Sequence, residues 1–270
     1  MRVERSMRGN IMLSYALKKY FKGFHNFLPF LVINLVLNLI SLKIFDLQFG
    51  GSSLMRAINL GEEIDWNTIA SDPKSQGLTI TIFVVIGLMI LIGPILNSYI
   101  TLVIKKLIDK EDINHGHILK ESFKFYFPYL GVMLAIFLMI LGLAIVTGIV
   151  AVLIPVLGII GAIAGGIFII YLAVTYTPSV SYLIYYNSTI SEALHYGKEV
   201  GKKYFWRIFG FLLIVNIVNK IVSLPDSSNI MAYIIATLLT LAINILNTTY
   251  MVTLCKGYKN PEIEYDNDCQ

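Results

Sequence analysis

FYFPYLGVMLAIFLMILGLAIVTGIVAVLIPVLGIIGAIAGGIFIIYLAVTYTPSVSYLIYYNSTIS, residues 125–191, holds no Asp, Glu, Lys, Arg or His: 67 consecutive residues without a formal charge. One straight helix of that length would run roughly 100 Å, about three times the thickness of a bilayer's hydrocarbon core. The stretch must therefore cross a membrane, turn and cross back. Ile154-Pro155-Val156-Leu157-Gly158 is where the turn is expected, since Pro removes a backbone donor and Gly relaxes the chain. Two spans follow from this, about Phe127–Val152 and Ile159–Tyr185.

The remaining sequence repeats that plan. A mean hydropathy of +0.72, with 56% hydrophobic and only 14% charged residues, excludes an ordinary soluble domain. Four further spans are expected, about Phe27–Ile44, Leu78–Ile104, Trp206–Leu224 and Ile230–Leu254. The fold class is thus an all-α integral membrane protein with six transmembrane helices in three hairpins. Residues 1–255 form one membrane domain, with units about 10–108, 113–187 and 188–256, and residues 256–270 form a polar tail read as disordered. The first span reads as an uncleaved signal anchor, because no A-x-A-like site follows its apolar run.

An amphipathic segment precedes each hairpin. Leu13, Ala16, Tyr20, Phe24 and Phe27 recur at helical steps, with Lys18, Lys19 and Lys22 between them. Ile118, Leu119, Phe123, Tyr126 and Phe127 share a face opposite Lys120, Glu121 and Lys124. Ile190, Ala193, Leu194, Gly197, Gly201, Tyr204 and Phe205 form a stripe opposed by Glu192, Lys198, Glu199, Lys202 and Lys203, with Arg207 just beyond. Such helices are expected to lie in the interface and to bind anionic headgroups or a protein partner through Lys18, Lys19, Lys22, Lys120, Lys124, Lys198, Lys202, Lys203 and Arg207. The returning spans correspond at Asn97-Ser98-Tyr99, Val180-Ser181-Tyr182 and Thr248-Thr249-Tyr250, which suggests parallel repeats about an axis along the membrane normal.

Lys and Arg set the orientation. Of 21, 17 fall on the side shared by both termini, the exceptions being Lys43, Arg56, Lys74 and Lys220. The positive-inside rule puts both termini in the cytoplasm of a cell membrane. The loop at residues 45–78, with Asp46, Glu62, Glu63, Asp65, Asp72 and the candidate anchor Trp66, then lies outside.

Ser191-Glu192-Ala193-Leu194 through Lys202-Lys203-Tyr204-Phe205-Trp206, preceded by Tyr176-Thr177-Pro178, resembles the membrane domain of bacterial glycerophosphoryl diester phosphodiesterases and related stand-alone six-span membrane proteins of unknown function. The resemblance implies a membrane scaffold with helices between hairpins. It implies no phosphodiesterase activity, because in that family the chemistry belongs to a separate soluble barrel whose His-Arg-Gly-type start is missing from this sequence.

Catalytic signatures are sparse. There is no H-E-x-x-H and no G-x-x-x-x-G-K-[ST] phosphate loop. His115-Gly116-His117 makes a poor metal site without a third ligand nearby, Cys255 and Cys269 form no ligand pattern, and no cofactor is implied. The polar residues inside spans are amides and hydroxyls. Asn34, Asn38, Asn97, Tyr99, Thr177, Pro178, Ser181, Tyr182, Asn216, Asn244 and Asn247 are candidates for an intramembrane lining. Interhelical hydrogen bonding is the simpler explanation of the amides. Pro94 and Pro178 interrupt returning spans, as in transporters whose broken helices expose carbonyls, or as plain kinks. Gly161 and Gly165, with Ala144 and Gly148 facing them, suit close packing of the central hairpin.

A non-enzymatic scaffold or transport component engaging membrane lipid or another amphipathic molecule is the leading reading. The alternatives are a permease subunit served by a cytoplasmic ATPase or other membrane subunit, and self-immunity against a membrane-active peptide. Nothing points to nucleic acid.

Overall fold

The structure is a computed structural model describing residues 2–49, 73–153, 155–222 and 230–259. Among them the secondary structure is helical throughout: α1 (Arg2–Lys22), α2 (Leu28–Phe49), α3 (Pro73–Asp109), α4 (His115–Lys124), α5 (Tyr126–Leu153), α6 (Pro155–Tyr176), α7 (Pro178–Tyr186), α8 (Ile190–Lys203), α9 (Phe205–Val222) and α10 (Ile230–Lys259). A 3-10 turn, Phe24–Phe27, joins α1 to α2. Six stretches are long and apolar enough to cross a bilayer: Phe24–Ser41, Ile90–Asp109, Tyr126–Ile149, Ile163–Tyr186, Phe205–Val222 and Met231–Lys259.

Several boundaries differ from the sequence reading. Pro155 opens α6, so Val156 to Gly158 are helical. Proline is tolerated there because the first helical N–H has no partner in any case. Pro94 lies inside the continuous α3 and ends nothing. At Pro178 the chain also stays helical, with Thr177 at φ −50°, ψ −41°, so this is a kink between α6 and α7. α1 starts at Arg2 and ends at Lys22, longer and earlier than the amphipathic periodicity indicated. Lys256–Lys259, assigned to the tail by composition, close α10. Trp66, the acidic residues from Glu62 to Asp72, Pro225 and the tail from residue 260 lie outside the described residues.

The returning helices α3, α7 and α10 touch one another at the centre. The outgoing helices sit in the grooves between them: α2 against α3 and α10, α5 against α6 and α3, α9 against α10 and α6. Burial follows. Tyr99, Tyr182 and Tyr250 are all buried, as are Ser98, Ser181 and Thr249 beside them. The residue at each elbow into an outgoing helix, Phe27, Phe125 and Tyr204, is buried as well. The outward faces of α2, α5 and α9 remain apolar and uncovered, for example Val36, Phe137, Ile145 and Ile214. An apolar exterior over a packed interior is what a lipid solvent requires.

Close packing of the central hairpin uses other residues than expected. A Cβ on Gly165 would come within 2.9 Å of Thr147 Oγ1, whereas Gly148 and Gly161 have nothing within 4 Å. Ala144 and Gly148 are exposed, so Thr147 is the residue that faces the glycine step.

Candidate functional site

A cavity of about 410 Å³ lies between α3, α5, the α6–α7 kink and α10. Asn97, Thr101, Tyr129, Tyr176, Thr177, Ser181, Asn247 and Thr248 give it polar lining, and Met133, Ile136, Ile140, Ala173, Val180 and Met251 give it apolar lining. No lining residue is Asp, Glu, Lys, Arg or His. The volume falls within the usual range of small-molecule sites.

Helix geometry brings these groups together. Asn97, Val180 and Thr248 hold matching places on the three central helices, and all three line the cavity. Thr101 lies one turn beyond Asn97, and Thr177 and Ser181 lie one turn apart around Pro178. Four of the polar hydrogens are used within their own helices. Asn97 Nδ2 donates to the Gly93 carbonyl at 2.9 Å, Thr101 Oγ1 to that of Asn97 at 2.7 Å, Thr177 Oγ1 to that of Ala173 at 2.7 Å and Thr248 Oγ1 to that of Asn244 at 3.0 Å. Asn247 Oδ1 is buried without a hydrogen-bond partner.

Of the residues singled out as a lining, the structure gathers Asn97, Thr177, Ser181 and Asn247. Asn34, Asn38, Asn216 and Asn244 are not part of it. Asn34, Asn38 and Asn216 donate to carbonyls four residues back, at Phe30, Asn34 and Leu212, so these amides are not interhelical pins. Tyr99 and Tyr182 are buried beside the cavity without lining it: Tyr99 Oη lies 2.7 Å from His115 Nδ1, and Tyr182 stacks on Tyr196 at 5.4 Å. Pro178 is buried and makes the kink. Thr101, Tyr129, Tyr176 and Thr248 were missed as lining. The first carries a legible signal, its four-residue step from Asn97, whereas Tyr129 is brought in from another helix.

The amphipathic helices meet protein with the faces expected to meet lipid. α8 runs antiparallel along α6–α7: a Cβ on Gly197 would overlap Ser179, and one on Gly201 would overlap the Thr175 carbonyl. Ala193, Gly197, Val200 and Gly201 are accordingly buried. In α4 the expected face divides. Ile118 and Ser122 turn inward, while Leu119, Phe123 and, at the start of α5, Phe127 are exposed. On α1, Met12, Ala16 and Tyr20 are buried, and the Met12 side chain closes on Gly257 of α10.

The basic residues lie around the elbows. Lys18, Lys22, Lys120, Lys124, Lys202 and Lys203 are exposed, and Lys19, Lys198 and Arg207 are half-buried. Several have intramolecular partners. Lys198 lies over the Tyr176 ring at 5.8 Å, Lys203 over Tyr258 at 4.9 Å, Arg207 over Tyr204 at 5.7 Å and Lys19 over Tyr15 at 5.5 Å. Lys202 sits 3.7 Å from Glu199. Exposed Phe21, Phe24, Phe127 and Trp206 stand next to these cations at the elbows. Thr189 caps α8 with a full capping box, and its backbone N–H and hydroxyl hold the Glu192 carboxyl below the usual carboxylate range.

His115 bonds Tyr99, and His117 Nδ1 lies 3.8 Å from Glu121. Among the described residues no group of three or more His, Cys, Asp or Glu is placed to hold a metal ion. The six long apolar helices place the chain among multi-pass α-helical membrane proteins. Compared with known proteins, it matches no family model, no curated protein and no solved structure.

Proposed function

We propose that this chain is a non-enzymatic component of a cell membrane, a scaffold or transport element, that holds a lipid or another amphipathic molecule between its central helices. The cavity carries the proposal: uncharged polar groups face one space whose remaining wall is apolar. An amphipathic guest matches both linings. Each of the three returning helices is preceded by an outgoing helix, and α3 and α7 are each followed by a short helix packed on them, which supports the reading of three parallel hairpin repeats. On that reading α1 closes the ring by packing on α10. Both termini then lie on the cytoplasmic side with most of the cations.

The test is native mass spectrometry of the protein purified in mild detergent. A retained amphiphile, released when Met133 is replaced by Trp, supports the proposal. An ATPase at fixed stoichiometry with an empty cavity would shift it to a permease subunit docked through its short helices. A bare protein would overturn the binding role.

A further inference from the structure

We infer that the guest lies with its head toward the C-terminal ends of α3, α7 and α10 and its chain along α5, as an amphiphile of the leaflet on that side lies. The inference rests on the amphiphile reading above and adds an orientation to it. Cover along the cavity walls gives the direction. On α3, Thr101 is buried, and Asn97, one turn farther from the helix end, is exposed. α5 starts at the same end, since Phe125 and Tyr129 share a core cluster with Ile104. Along it Tyr129 is buried and Met133 is 45% exposed. On α6–α7 Ser181 is buried and Ala173 exposed, and on α10 Met251 is buried and Asn247 half-buried. All four walls lose cover in one direction. Beyond the covered end, Ile104, Leu183 and Val252 are fully buried in that cluster, so the cavity is blind there.

Polarity follows the same axis. At the blind end the hydroxyls of Tyr129 and Ser181 have no hydrogen-bond partner among the described residues. A hydroxyl donates or accepts, so these two call for a polar group of either kind. From Tyr129 outward the α5 lining is apolar: Met133, Ile136 and Ile140 follow at helical steps over roughly 10 Å. Across from them Asn97 turns its amide back to the Gly93 carbonyl. A guest inserted chain first would set hydrocarbon against both covered hydroxyls and leave them unmet, which is costly. Inserted head first, it meets them and lays its chain on α5. Tyr129 stands in the first turn of the apolar span Tyr126–Ile149 and Ile140 lies past its midpoint. Head at the surface and chain toward the bilayer centre is how a lipid of that leaflet already stands.

The test is photo-crosslinking of the whole protein in lipid nanodiscs. The probes are dodecylglycerol ether and dodecylphosphocholine, each made with a diazirine either beside the head or at the chain end, and each competed with its unlabelled parent. Peptide mass spectrometry locates the adducts. For whichever head binds, the label beside the head is expected on Tyr129 and around Ser181, and the chain-end label on Ile136 to Ile140. Tyr129→Phe with Ser181→Ala keeps the shape of the blind end, removes its hydroxyls and should lower the yield of both labels. Met133→Trp should remove most of both. The reverse order of labels, or both labels spread evenly along α5, would overturn the inference and leave the amphiphile reading intact. So would an unchanged yield in the double variant, or a head label on Ile104 or Leu183, beyond the blind end. If neither head gave a competed adduct in the cavity, the inference and the amphiphile reading would fall together.

Discussion

The Lys256 ammonium donates to Asp109 Oδ1 at 2.8 Å, joining the end of α10 to the end of α3. Tyr185, at the end of α7, donates its hydroxyl to the same oxygen at 2.8 Å. One carboxylate thus ties together the ends of all three central helices. Tyr186 adds a bond to the Cys255 carbonyl at 3.2 Å. Thr101, on the cavity wall, lies eight residues from Asp109, about 12 Å along α3. The clamp therefore fixes the spacing of the helices that form the cavity without taking part in it.

Both members of the pair are mostly covered, at 24% and 20% exposure, so removing one leaves a charge with little water. Lys256→Met is expected to cost roughly 2–3 kcal/mol, at or below the low end for a buried pair because water still reaches it. Asp109→Asn keeps an acceptor for Tyr185 and should cost less. Thermal unfolding in detergent, as a double-mutant cycle, checks this: the double variant should lose less than the sum of the singles. Simple additivity would mean that the pair is not coupled.

Gly201 and Gly148 make opposite predictions from the same residue type. Gly201→Ala drives a methyl into the Thr175 carbonyl, a backbone group that cannot rotate away. It should destabilise by about 1–3 kcal/mol, the usual cost of overpacking, and should loosen the kink that carries Thr177. Gly148→Ala meets nothing within 4 Å and should be neutral or slightly stabilising, because Ala has the better helix propensity. Melting temperatures of the two variants decide the matter, and a neutral Gly201→Ala would contradict the α8–α6 contact.

The α8 cap should be sensitive to acid. Thr189 holds the Glu192 carboxyl below its ordinary value, so the folded state binds this proton less readily than the unfolded state. The stabilisation is then fully present above the ordinary carboxylate range and is lost as pH falls through the lowered folded value. Glu192→Gln should flatten that part of the acid titration of α8 stability, read by hydrogen exchange of the amides from Ala193 to Gly197. An unchanged profile would show that the capping box carries no linkage.

The class and the number of apolar helices are legible because membranes impose a long-range rule: 67 uncharged residues leave few alternatives. Gly197 and Gly201 were legible as a small-residue stripe, but whether such a stripe faces lipid or a helix depends on where α7 goes, and that is a tertiary fact. The same limit applies to the cavity. Asn97 and Asn247 announce themselves as polar residues in spans, exactly as Asn34 and Asn216 do, and periodicity within one helix does not say which will share a space. Asp109 and Lys256, 147 positions apart, read as ordinary span-end charges until three helix ends meet.

Trp206 offers the last test, of where the membrane surface lies. It is 78% exposed in the first turn of α9, beside Arg207 and one turn from Lys203. An aromatic ring with cations on one side and an apolar helix on the other prefers the headgroup level. The chain has two tryptophans, so Trp66→Phe leaves Trp206 as the sole reporter. In vesicles its fluorescence should be quenched more strongly by lipids brominated near the headgroup than by lipids brominated near the chain end. Replacing Lys198, Lys202 and Lys203 together by Ala should reduce retention of anionic lipid. The loss should be below the full sum of about 1 kcal/mol per basic residue, because Lys202 already faces Glu199 and Lys203 already lies over Tyr258. Strongest quenching from the chain end would put the elbow inside the hydrocarbon. It would then deny α8 its place at the surface, and the three lysines could not serve anionic headgroups at all.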